Sequence, residues 1–177
     1  MLPTQYDLVL KAENNIYIIV KNNKYGFYYG KGCFVTDIDF DYKKELPVSY
    51  YTNGKLFKLL KKNKQALMDI NGRVSIDYDA YEEVNFAQSN MIRIKRKGKY
   101  GFVDRKLNLV IPCKFNAATD FNEGVTIGVL KQETFLLNIK GETIFKTKGS
   151  ITMVTNNYYL IKDEEGNRLI DKSGHTI

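Results

Sequence analysis

One pattern constrains this chain more than any other: the same short segment returns at a nearly constant interval. GKYGFVDRKLNLVIP (Gly98 to Pro112) is echoed by KYGFYYGKGCFV (Lys24 to Val35), KQALMDINGRVSI (Lys64 to Ile76), ETFLLNIKGETI (Glu133 to Ile144) and GNRLIDKSGHTI (Gly166 to Ile177). Aligned on one polar anchor, the five copies place Tyr29, Asp69, Asp104, Asn138 and Asp171 in register, at steps of 40, 35, 34 and 33 residues. Three residues beyond the anchor stand Gly32, Gly72, Leu107, Gly141 and Gly174. Periods of this length mark repeat architectures, in which each unit buries its apolar face against its neighbours.

The anchor and its glycine read as a tight turn. An Asx side chain bonds backbone amides just ahead of it, and glycine takes a positive φ without steric cost. Short apolar runs flank each turn, and a further strand pattern precedes each unit: IYIIVK (Ile16 to Lys21), MIRIKRK (Met91 to Lys97), VTIGVL (Val125 to Leu130) and YYLIKD (Tyr158 to Asp163). Each unit is therefore expected to hold three antiparallel strands, joined by polar, turn-rich linkers such as NAATDFNEG (Asn116 to Gly124). LFKLLKKNKQALM (Leu56 to Met68) also has the three-and-four spacing of a basic amphipathic helix, but the repeat register predicts strand, turn, strand there.

The expected fold is all-β: one repeat domain over residues 1–177, with units at 15–52, 53–90, 91–124, 125–157 and 158–177 and an N-terminal strand or cap over 1–14. Three strands fall short of a four-stranded propeller blade, which favours an open, twisted array. The alternative is a small closed propeller or barrel, with YDLVLK (Tyr6 to Lys11) completing the last unit.

The third unit, KGKYGFVDRKLNLVIPCKFNAATDFNEG (Lys97 to Gly124), resembles the WG repeat, a bacterial module. Tyr100 stands at the Trp position, followed by Gly101, Phe102 and Asp104, then Ile111-Pro112, Phe115 and Glu123-Gly124. The first unit keeps Tyr25-Gly26-Phe27, whereas the others place Gln65, Thr134 and Asn167 at the aromatic position and Ala66, Phe135 and Arg168 at its glycine. The resemblance implies a binding or scaffolding protein, carries no catalytic residues with it, and leads us to expect a non-enzymatic interaction module without a cofactor.

Charge supplies the candidate binding surface. The net charge of +7 comes entirely from residues 51–106, which hold 13 basic and 6 acidic side chains. Lys58, Lys61, Lys62 and Lys64 of the second unit and Lys95, Arg96, Lys97 and Lys99 of the third occupy the same hairpin, which stacked units would bring side by side. Tyr100 adjoins this cluster, and the pairs Tyr50-Tyr51 and Tyr158-Tyr159 each require one outward ring. The candidate partner-binding residues are thus Lys61, Lys62, Lys64, Lys95, Arg96, Lys97, Lys99, Tyr100, Tyr50 and Tyr159. The expected partner is another protein with an acidic surface. Nucleic acid is the alternative, since basic groups with aromatics suit single strands.

Other chemistries find little support. His175 and Cys33 are variants of one turn position, with no third group to orient a nucleophile, and no paired Cys or His spacing suits zinc. Asp37, Asp39 and Asp41 start like a calcium loop, but Tyr42 and Val48 stand where its glycine and bidentate glutamate belong, so a strand with one solvated face is the better reading. No run approaches the length of a spanning helix, so no membrane partner is expected. The first 15 residues lack a basic start and an apolar run, and the two cysteines form no evident framework, which points to a cytoplasmic setting.

Overall fold

The computed structural model describes residues 5–53, 55–62, 64–86 and 91–177. The chain divides into two compact units, Met1–Phe86 and Ala87–Ile177. Every strand pairing in both is antiparallel, and among the described residues the one α-helix is the single turn α1 (Val48–Tyr51).

In the first unit, β1 (Leu8–Lys11), β2 (Ile16–Lys21), β3 (Lys24–Tyr29) and β4 (Cys33–Phe34) follow in order, with β5 (Phe40–Asp41) also on β3. A second sheet is made by β6 (Leu56–Lys61), β7 (Lys64–Asp69) and β8 (Val74–Ile76), and β9 (Glu83–Phe86) ends the unit. The segment Leu56 to Met68 is a hairpin, paired from Leu56 opposite Asp69 to Lys61 opposite Lys64. The core between the two sheets joins Ile16, Ile18, Tyr25 and Phe27 to Tyr51, Phe57, Leu59 and Ala66. Phe27 and Phe57 lie 4.6 Å apart between centroids, and Tyr51 meets Tyr25 edge-on at 4.8 Å. Each such buried ring stabilises the fold by roughly 1.5–3 kcal/mol relative to exposure.

The second unit holds β10 (Met91–Arg96), β11 (Lys99–Asp104) and β12 (Leu109–Phe115) in one sheet. The next contains β13 (Ala117–Ala118), β14 (Val125–Leu130), β15 (Glu133–Asn138) and β16 (Thr143–Thr147). The last is β17 (Ser150–Met153), β18 (Tyr158–Asp163) and β19 (Gly166–Asp171). Phe102, Ile111, Phe115, Phe121 and Leu137 form one buried cluster, and Val125, Leu136, Ile151, Tyr159, Ile161 and Ile170 another.

Two expectations change. The linkers, expected to be polar and turn-rich, also carry short strands: Ala117 and Ala118 pair with Val129 and Gly128, and Ser150 to Met153 pair with β18, so the segment ahead of a hairpin supplies a leading strand. The strand at Tyr6 to Lys11 does the same for the first sheet, with Leu8 opposite Val20 and Lys11 opposite Tyr17. It therefore serves the first repeat and not the last. The sheet β13 to β16 consequently has four strands where three were expected.

The anchor turns are built alike. Asp69, Asp104, Asn138 and Asp171 each accept two backbone amides on Oδ1, from the residues two and four positions on, at 2.8–3.0 Å. The third residue beyond the anchor has positive φ in all five copies, and Leu107 adopts it (φ 68°) where the others use glycine.

Candidate partner-binding surface

The aromatic position of the repeat has a structural task. Tyr25 donates its hydroxyl hydrogen to the Lys58 carbonyl (2.5 Å) and accepts the Leu60 amide (3.2 Å), both on the next hairpin. Burial holds the Tyr25 phenol far above the usual tyrosine range. Gln65 accepts the Val84 amide at 3.1 Å, and Thr134 donates to the Gly149 carbonyl at 2.7 Å. Tyrosine, glutamine and threonine are thus interchangeable wherever the side chain can reach backbone leading to the following sheet. This is why the motif looks degenerate in sequence.

The glycine that follows is required by a bulge. At Gly101 a Cβ would lie 2.5 Å from the Ile111 carbonyl oxygen and 2.7 Å from the Cys113 nitrogen, because Tyr100 faces Phe115 while Phe102 faces Ile111. Gly26 is pressed in the same way by the Asp37 carbonyl, at 2.5 Å. In β15 the register runs evenly from Thr134 opposite Thr147 to Leu136 opposite Phe145, so Phe135 fits where the motif has glycine.

The candidate cations separate into two groups. In the first unit two hairpin lysines are neutralised, Lys61 by Asp39 at 2.5 Å and Lys64 by Asp79, whereas Lys62 bonds Asp41 at 2.7 Å through its backbone amide and its ammonium has no carboxylate among the described residues. The hydrogen bond from Lys61 holds the Asp39 carboxyl below its ordinary range, and Lys24 does the same for Asp41. Lys58 is buried, its ammonium 3.8 Å from the Tyr50 ring centre and 5.3 Å from that of Phe86. Tyr50 is half-buried beneath it and accepts a hydrogen bond from Gln65, so its ring is already engaged.

In the second unit, by contrast, Lys95, Arg96, Lys97 and Lys99 on the β10–β11 hairpin have no carboxylate partner among the described residues. For Lys99 the cause lies at one pair of repeat positions, five before the anchor and ten after it. They carry Lys64 and Asp79 in the second repeat, but Lys99 and Lys114 in the third. Tyr100 lies under Lys95 (5.1 Å) and Arg93 (5.5 Å). The lysines of the two hairpins belong to different compact units.

Tyr159 was expected to face outward. It is 2% exposed and packs in the core with Ile161 and Ile170, while Tyr158 is the outward member of the pair at 41%. Alternation along β18 required one inward ring but could not say which, and Val125, Leu136 and Ile151 determine it by packing on Tyr159. The sequence reading also missed the aspartates as ion-pair partners, although the recurrence of Asp37 and Asp39 as Asp77 and Asp79 was its visible trace.

Small antiparallel sheets repeated along an almost helix-free chain define an all-β repeat protein. Residues 100–131 match the family described as WG containing repeat. No curated protein matches it in sequence. Among solved structures it is similar to a eukaryotic initiation factor, with TM-score 0.56 and 14% identity, over 96% of this chain and 52% of that one. It is also similar to Hsv2p of Kluyveromyces lactis, with TM-score 0.53 and 6% identity, over 95% of this chain and 62% of that one. The chain therefore spans between about half and three-fifths of these neighbours. At such identities the likeness is one of fold, of the propeller and β-repeat kind. No helix among the described residues is long and apolar enough to cross a membrane.

Proposed function

We propose that this protein is a non-enzymatic interaction module that docks an acidic protein surface on the β10–β11 hairpin. The observation that carries this reading is the set of unneutralised cations Lys95, Arg96, Lys97 and Lys99, joined by Lys114, where the second repeat pairs the counterparts of Arg96 and Lys99, Lys61 and Lys64, with aspartates. A two-residue turn presents them, with Lys97 and Gly98 both at positive φ (50° and 69°). Cations clustered on one hairpin steer an acidic partner at long range and help to fix its register.

A protein partner is favoured over nucleic acid because no freely exposed ring accompanies these cations. Tyr100 is only partly exposed and its ring is already engaged by Lys95 and Arg93, whereas base stacking requires an available aromatic face. The test is capture of partners from the native host by the wild-type chain and by a variant with Lys95, Arg96, Lys97 and Lys99 all changed to Glu. The wild type is expected to retain an acidic protein that the variant loses at unchanged thermal stability. Equal capture by both would refute the assignment.

A further inference from the structure

The anchor turns rest on the preceding sheet in the second unit but stand clear of it in the first. Gly141 lies on Ile111, whose Cγ1 would meet a Cβ there at 2.9 Å, and Gly174 lies on Ile144, whose carbonyl oxygen would meet one at 3.1 Å. Gly72 holds the same repeat position, yet a Cβ there would find no atom within 4 Å among the described residues. The first sheet explains the gap. Thr36 stands at the repeat position of Ile111, and its hydroxyl accepts the Phe27 amide and donates to the Asp37 carbonyl, both at 3.0 Å. The third strand, β4, ends at Phe34, so the isoleucine that fills this space in the third repeat has no counterpart in the first.

What is left between the first two anchor turns is a slot of about 410 Å3, lined by Tyr29, Cys33, Val35, Ile70, Asn71 and Gly72. Its walls are largely apolar, and Ile70 is 46% exposed there. The polar groups around it are donors. Tyr29 takes the anchor place that Asp69, Asp104, Asn138 and Asp171 fill elsewhere, and its hydroxyl has no hydrogen-bond partner among the described residues. The side-chain amide of Asn71 has none either. The Lys31 ammonium lies 5.9 Å from the Tyr29 ring centre, and Arg73 follows Gly72. Neither cation has a carboxylate partner among the described residues. The single acid of the two turns, Asp69, is engaged through Oδ1 by the Asn71 and Arg73 amides at 2.9 and 3.0 Å.

We infer that this slot binds a small amphipathic carboxylate, with its hydrocarbon against Ile70, Val35 and the Tyr29 ring and its charge toward the Tyr29 hydroxyl, Asn71 and Lys31. Small-molecule sites combine apolar walls with a few polar groups that fix orientation, and the slot has both at a suitable size. Burial of the hydrocarbon supplies affinity. Unpartnered donors beside an unneutralised ammonium select an anion, because charge-assisted hydrogen bonds to a carboxylate are the strong ones. The slot belongs to the first unit and shares no residue with the β10–β11 hairpin, so the two readings stand or fall separately.

The test uses the full chain with phenylbutyrate as the probe and reads the rate at which iodoacetamide alkylates Cys33, followed by peptide mass spectrometry. Cys33 is exposed at the slot, and Cys113, in the second unit, is the internal reference. Saturating probe is expected to slow alkylation of Cys33 about tenfold, as a bound ligand covers most of such a site, and to leave Cys113 unchanged. Ile70→Asp sets a carboxylate in the apolar wall on a side chain already half exposed, and is expected to weaken protection of Cys33 about tenfold or more. Should that variant fail to fold, Lys31→Glu on the exposed turn makes the same measurement and is expected to weaken binding in the same direction. The cationic analogue phenylbutylamine is expected to protect Cys33 only at about tenfold higher concentration or more. Unprotected Cys33, equal protection of both cysteines, affinity unchanged in the variants, or equal affinity for the amine would each overturn the inference.

Discussion

At the scale of single residues, the structure explains which motif positions are exchangeable and which are not. Glycine at position 101 is dictated by backbone atoms, which cannot yield as a flexible side chain would. Gly101→Ala should therefore destabilise the protein by about 2–3 kcal/mol, in the range of overpacked core sites, readable by urea denaturation. Leu107 takes a backbone conformation that costs an L-residue roughly 1 kcal/mol, and Leu107→Gly should recover up to about that amount, with a matching rise in Tm. At Asp104 the hydrogen bonds from Asn108 and the Lys106 amide hold the carboxyl below its usual range. A depressed carboxylate contributes stability above about pH 4 that is lost as pH falls through the folded value. Asp104→Asn, which keeps the acceptor just as Asn138 does naturally, should preserve the turn and remove this part of the acid sensitivity. Asp104→Ala should lose the turn bonds at every pH.

At the scale of elements, hairpins are joined to their successors by side chains reaching from the second strand of one to the backbone of the next. Tyr25 is the clearest case, because its phenol is both donor and acceptor in the buried space between two sheets. Tyr25→Phe leaves the Leu60 amide and the Lys58 carbonyl without that oxygen and should cost about 1–3 kcal/mol. The same contact makes the first unit sensitive to alkali. Burial raises the Tyr25 phenol, and burial raises Tyr51 to about 12, so the folded state favours the neutral form more than the unfolded chain does. Stability from these groups is complete below the unfolded value near 10 and declines as pH rises above it. Thermal melts between pH 9 and 12, with tyrosinate absorbance as the readout, should show this decline, and Tyr25→Phe should make it shallower.

At the scale of the whole molecule, the charge of +7 matters through its placement. The first unit pairs Lys24, Lys61 and Lys64 with aspartates, and the second leaves Lys95, Arg96, Lys97, Lys99 and Lys114 unmatched among the described residues. If these five instead neutralised phosphates of duplex DNA, log affinity would fall with log salt at a slope of about −4.5. Docking on a protein that supplies apolar contacts as well should show a markedly smaller slope, which a salt titration of the captured complex measures.

The repeat period, the turn chemistry at Asp69, Asp104, Asn138 and Asp171, and the strand character of each unit were all legible in the sequence. They follow from local interactions, an Asx side chain with nearby amides and glycine's freedom at positive φ. The missing partner of Lys99 had a sequence trace as well, Lys114 where the second repeat has Asp79. What remained hidden were the relations set by contact across distance. The chain order alone did not assign β1 to the first sheet, bury Tyr159 in place of Tyr158, or hold Lys58 against Tyr50. Each depends on which groups long-range packing brings within a few ångströms.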